Sequence, residues 1–231
     1  MKSFLSFALA ALCFVAPHGS LQAAETNHNF ARWEKEISAF ETADRTNPPP
    51  KHAVLFIGSS TIRFWTTLAQ DYPGVPVINR GFGGSEIADS THFAERIIFP
   101  CEPKMIFLRA GGNDIHAGKS AAEVFADYQE FVAKVHTKLP QTEIVFISQC
   151  PAPSRWKEAE TNKQLNQLVE AFTKKTPRLK YIESYDLSLG PDDQPREELF
   201  RADRLHFNAE GYKLLIERVR PFLPKPEATG K

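Results

Sequence analysis

The sequence predicts an α/β protein, a three-layer α/β/α sandwich with helices on both faces of a mostly parallel, five-stranded sheet. Two observations predict it. Five short apolar runs lack the alternation of half-exposed strands, as strands buried on both faces do. Helix-like segments separate those runs, and strands alternating with helices mark a doubly wound sheet.

The elements follow in order. Residues 1–24, "MKSFLSFALAALCFVAPHGSLQAA", carry one lysine, an apolar run from Phe4 to Ala16, then a breaker and small residues. That is the pattern of an export signal cleaved near Ala23 or Ala24, and the run is too short for a stable membrane anchor. The mature protein is therefore expected to be periplasmic or extracellular, with no stable membrane insertion. Residues 25–50 hold a helix and a proline-rich link packed on the domain. "NFARWEKEISAFETAD" sets Phe30, Trp33, Ile37 and Phe40 on one face, and "NPPPK" ends it.

The main domain spans 51–224. Its strands are "AVLFI" (53–57), "VPVIN" (75–79), "MIFLRA" (105–110), "EIVFIS" (143–148) and "KYIESY" (180–185). Helices are expected over 61–70, 86–98, 120–138 and 157–175, with a last one from Asn208 to before "PFLPKP". Residues 225–231 read as a disordered tail. The chain has 231 residues, 42% of them hydrophobic, which suits one domain with a substantial core. Lys and Arg number 28, as do Asp and Glu. No net field points to nucleic acid, so the expected partner is a small-molecule or glycan ester. Cys101 falls just before one predicted strand and Cys150 just after another, at opposite ends of a parallel sheet and beyond disulfide reach, and both are expected as free thiols.

Ligands gather at the carboxyl ends of such strands. The residues found there are Gly58-Ser59-Ser60, "NRGFGGSE", "GGND" and "QCPAPSRW". A serine nucleophile needs a base, the base needs an orienting acceptor, and the oxyanion needs donors. Among the histidines, His28 and His52 precede the first strand, while His92 and His136 lie within helical segments. His206 stands in "LFRADRLHFNAEGY" with Asp203 three residues before it. An Asp and a His in one loop can pair without a second segment, although the same residues can also simply cap the following helix.

Four of these stations resemble, in order, the blocks of the SGNH/GDSL hydrolase family. "FIGSSTI" matches the first block, "NRGFGGSE" the second, "GGND" the third and "DRLH" the fifth. The resemblance implies a flavodoxin-like fold and a serine esterase acting on small acyl groups, such as acetyl. It implies a catalytic triad of Ser60, His206 and Asp203. The implied oxyanion hole comprises the Ser60 N–H, the Gly84 N–H and the Asn113 amide, and no metal or cofactor is needed. The chain departs from the family at Ser59, where Gly-Asp-Ser normally has Asp. Ser60 is preferred by its spacing from Gly58, with Ser59 as the alternative, and Ser59 can still cap the helix that starts there. That helix is expected to favour the oxyanion through its N-terminal dipole.

Other templates fit worse. Gly-Ser-Ser-Thr-Ile lacks the second glycine of G-x-S-x-G, and neither a dinucleotide nor a P-loop fingerprint occurs. His116 near Asp114 is read as structural ahead of a metal ligand pair. Arg155 and Trp156 are candidates for substrate binding, because their loop should overhang the site. Arg63 and Phe82 are possible pocket residues, while Phe64 and Trp65 are read as core. An acyltransferase using a glycan alcohol as acceptor, and a non-catalytic glycan-binding module, are the alternatives.

Overall fold

The structure, a computed structural model, describes residues 28–225. The export signal read in residues 1–24 lies outside the described residues, as does the tail from 226 onward.

A 3-10 turn, Phe30–Trp33, leads into helix α1 (Glu34–Thr46). Ion pairs hold α1 to the domain. Asp44 takes the buried Arg80 at 2.6 Å, and Glu34 and Glu41 both bind Arg96. Trp33 packs edge-on to Phe82 with ring centroids 5.7 Å apart. Strand β1 (Val54–Gly58) then enters the molecule, buried along its whole length.

Residues 61–70 do not form one helix. The chain makes two single turns, α2 (Ser60–Arg63) and α3 (Leu68–Asp71). The break comes from elsewhere in the chain. The Asn79 amide donates to the carbonyls of Ile62 and Trp65, and Trp65 buries its ring with its indole N–H on Asp71. Strand β2 (Val77–Gly81) presses on α2 so closely that a Cβ at Gly81 would lie 2.1 Å from the Arg63 nitrogen.

The segment 86–98 is likewise split into α4 (Ile87–His92) and α5 (Ala94–Ile97). Strand β3 (Met105–Arg109) is wholly buried and leads into a one-turn helix, α6 (Gly112–His116), at "GGND". Helix α7 (Ala121–Lys138) opens with a capping box between Ser120 and Glu123. Strand β4 (Glu143–Ile147) and helix α8 (Ala159–Thr173) follow, the latter entered through a 3-10 segment, Pro153–Glu158. Strand β5 (Leu179–Ile182) is shorter than its apolar run, because Tyr185 already starts a 3-10 turn. Helix α9 (Ala209–Val219) is capped by Asn208, whose side chain accepts from the N–H groups of Glu210 and Gly211.

The sheet order is β2-β1-β3-β4-β5, and every pairing is parallel. Side chains alternate between two cores, as the pleat requires. Leu55, Ile57, Ile106 and Leu108 join α1, α4, α7 and α8 on one face. Val54, Phe56 and Phe107 join α2, α3 and α9 on the other. Phe56 and Phe107, one on each central strand, stack at 4.6 Å. Cys101 and Cys150 are free thiols. Among the described residues, no helix is long and apolar enough to cross a membrane.

Candidate active site

The strand order reverses at β1, with β2 on one side and β3 on the other, and the site lies at that edge. Gly58 ends β1 at φ +139°, where a Cβ would stand 2.0 Å from the Arg109 carbonyl oxygen. Only glycine lets the two backbones approach this closely. The chain then turns sharply through Ser59, whose N–H donates to Arg109 O, and Ser60 becomes the first residue of α2. Its N–H therefore has no intrahelical acceptor. Ser59 does not cap α2 through its side chain, contrary to expectation. With only one turn behind Ser60, the helix dipole adds little, and the local N–H groups carry whatever anion attraction this corner has.

A cavity of about 330 Å³ opens here, lined by Ser59, Ser60, Gly84, Asn113 and His206 together with Arg155. Five loops supply these residues. Gly84 sits at φ +79°, with a would-be Cβ only 3.2 Å from the Trp33 ring. Asn113 is oriented from both ends. Its amide nitrogen donates to Ser85 O at 3.0 Å, and its oxygen accepts from Arg155 at 3.0 Å. One amide proton is thus engaged, and the second remains for the cavity. Arg155 touches the site through Asn113 and also donates to Gly112 O.

The imidazole of His206 bonds through Nδ1 to Asp203 Oδ2 at 2.7 Å. The other Asp203 oxygen accepts the backbone N–H groups of Leu205 and His206, closing a tight turn. These donors, led by the His206 N–H, hold the Asp203 carboxyl well below the usual carboxylate range. The Phe64 ring stands perpendicular to the imidazole, with centroids 5.0 Å apart. Ser60 and His206 share the cavity wall, and among the described residues no hydrogen bond joins their side chains.

Other residues of the loops fall out as follows. Trp156 is 36% exposed and does not line the cavity, because the Pro153–Glu158 turn carries it outward. Phe82 is core. Trp65 is core as expected, but Phe64 lines the cavity, because α2 ends at Arg63 and turns the next ring inward. His116 bonds Glu158 at 2.8 Å and ties α6 to the loop after β4. Among the described residues, no three metal-binding side chains cluster. Arg109 is a lining residue that sequence reasoning passed over. Its one signal is a charged residue closing an apolar strand run.

Behind Asn113, Asp114 is buried. One carboxyl oxygen accepts the Ile87 N–H, and the other has no partner among the described residues. Burial pushes its carboxyl up from 3.8 to about 7, opposed by the Ile87 N–H and by Lys119 at 3.9 Å. A raised folded-state value means the group stabilises below its unfolded value and loses that contribution as pH rises through the folded one. Asp114→Asn keeps the acceptor for Ile87 and cannot ionise. The urea midpoint of the natural protein relative to the variant should fall as pH rises from 3.8 to about 7. A pH-independent difference between the two would refute the buried, proton-holding carboxyl.

A family model described as the GDSL-like lipase/acylhydrolase family matches residues 42–214. Several solved structures share the fold. A protein of Streptococcus pneumonia, provisionally described as a platelet activating factor, is 20% identical with a TM-score of 0.75, over 84% of this chain and 94% of its own. A GDSL-like lipase from Bacteroides thetaiotaomicron is 17% identical, TM-score 0.64, over 84% and 96%. An acetylxylan esterase from Geobacillus stearothermophilus, solved as a catalytic mutant, is 14% identical, TM-score 0.62, over 79% and 99%. No curated protein matches the chain.

Proposed function

This chain belongs to the GDSL-like lipase/acylhydrolase family and is a carboxylic ester hydrolase, and from that premise we propose an exported serine esterase acting on short acyl esters, acetyl among them. The observation that carries the reading is one cavity lined by Ser60, Gly84, Asn113 and His206, with His206 bonded to Asp203 at 2.7 Å.

His206 Nε2 takes the Ser60 proton as Oγ attacks the acyl carbon, a contact that tightens when substrate binds. Asp203 stays ionised, holds the Nδ1–H tautomer and stabilises the imidazolium. The carbonyl oxygen becomes an oxyanion met by the Ser60 N–H, the Gly84 N–H and the Asn113 amide. The C–O bond to the alcohol breaks, and the departing oxygen takes the proton from His206. Water, activated by the same imidazole, then cleaves the acyl-enzyme. The acid leaves and Ser60 regains its proton. A cavity of about 330 Å³ stands at the small end of ligand sites, about 300–1,000 Å³, which supports a short acyl group. The leader in residues 1–24 supports export, and the likeness to an acetylxylan esterase makes acetylated carbohydrates the first glycans to test.

A fluorophosphonate probe tests this directly. It should label the peptide carrying Ser60 stoichiometrically and stop hydrolysis of nitrophenyl acetate, and acetate should be cleaved faster than octanoate. No labelling, or labelling with undiminished turnover, would refute a serine mechanism.

A further inference from the structure

We infer that the esters this site is built for carry an anionic group, a carboxylate or a phosphate, on the alcohol half, received by Arg63 and Arg201 above Arg109. The inference rests on the esterase reading, because His206 identifies the alcohol side.

Arginines away from this cavity mostly pair with a carboxylate, Arg45 and Arg178 being exceptions that bind Thr42 and Gln141. Arg80, Arg96 and Arg218 each pair with a carboxylate. Among the described residues, Arg63, Arg109 and Arg201 make no such pair. Arg109 is only 4% exposed yet lines the cavity. Its guanidinium donates to Ser148 O, to Ser184 Oγ at 3.1 Å and to Cys150 Sγ at 2.9 Å, with no carboxylate among these acceptors. Its Nε is buried without a partner among the described residues. A buried cation lacking a counterion is costly, and none of these acceptors cancels its charge. An anion entering the cavity would.

Arg63 and Arg201 set the direction. Both are exposed, and both approach the Phe64 ring, at 5.9 Å and 4.7 Å from its centroid. That ring stands perpendicular to His206. Arg63 lines the cavity beside that ring, and Arg201, outside the lining, packs on the same ring with its Nε donating to Phe207 O at 3.0 Å. Stacking on Phe64 explains where the arginines sit but not why no acid accompanies them. Asp203 is engaged by His206 and Glu197 by Arg204, while Glu158, which also lines the cavity, spends Oε1 on His116 and has no partner for Oε2 among the described residues.

Three acetate esters test this: 4-acetoxybenzamide, 4-acetoxybenzoate and 4-acetoxyphenyl phosphate, each normalised to its hydroxide-catalysed rate. The natural protein at low salt should show a kcat/KM for one anionic ester about tenfold above the neutral one, mainly through KM, the scale of two partly exposed ion pairs acting together. The favoured arm separates carboxylate from phosphate. The preference should shrink as salt rises from about 0.01 M to about 1 M, where screening shortens to ~3 Å. In R63Q/R201Q the ratio should approach one. Equal rates on all three esters, or a preference that survives in R63Q/R201Q, would overturn the anionic subsite and leave the esterase reading standing. Loss of neutral and anionic turnover to the same degree in R63Q/R201Q would also overturn it. Failure of the natural protein to cleave any of the three would refute the esterase reading itself.

Discussion

Ser60→Ala should reduce ester hydrolysis by about 10⁴–10⁶-fold, because losing the nucleophile removes the acyl-enzyme route and leaves only binding and the oxyanion donors. Ser59→Ala should keep most activity. Both hydroxyls line the cavity, so the contrast is a real one. Neither substitution should unfold the protein. Both side chains are half-buried, and Ser59 makes no capping bond with its side chain. Each should therefore stay within about 0.5 kcal/mol of the natural stability. Steady-state kinetics on nitrophenyl acetate, alongside urea melts of both variants, decide the matter. Full activity in Ser60→Ala with loss in Ser59→Ala would move the nucleophile by one residue and change which N–H faces the oxyanion.

Asn113→Ala should lower kcat by about 10²–10³-fold, some 2.7–4 kcal/mol of transition-state stabilisation, with little change in KM. The reason is geometric. Ser85 O holds one amide proton and Arg155 holds the amide oxygen, so the remaining proton is pre-aimed and needs no reorganisation as charge develops. Arg155→Met should give a smaller loss, about tenfold in kcat, because the amide stays present but can rotate away. Arg155→Lys should recover part of it by restoring a donor to the Asn113 oxygen. If Asn113→Ala kept its full kcat, the oxyanion would have to be held by the backbone alone. If Arg155→Met hurt KM and left kcat intact, Arg155 would be a substrate contact and no positioning residue.

Much of the fold was legible because burial leaves a local trace. A strand covered on both faces reads as an unbroken apolar run, and β1 and β3 do so residue by residue. Helices α7 and α9 announce themselves by periodicity and by the caps at Ser120 and Asn208. The interrupted segments did not. Residues 61–70 have helical pattern, but their carbonyls are captured by Asn79 and their backbone is crowded by Gly81. Competition between a helix and a partner from a neighbouring strand has no signature in the helix's own residues.

The candidate site divides the same way. Asp203 and His206 meet through a turn of four residues, so the sequence alone offered that pairing beside a capping role, along with the glycines that permit tight corners at 58 and 84. Only the tertiary structure decided that Arg155 grips Asn113, that Phe64 faces the cavity while Trp156 faces solvent, and that Arg63 and Arg109 line the cavity with no carboxylate partner among the described residues. The physical reason is range. Turn geometry and burial periodicity act over a few residues and are written along the chain. Charge balance in a cavity is a sum over side chains that only folding brings within reach of one another.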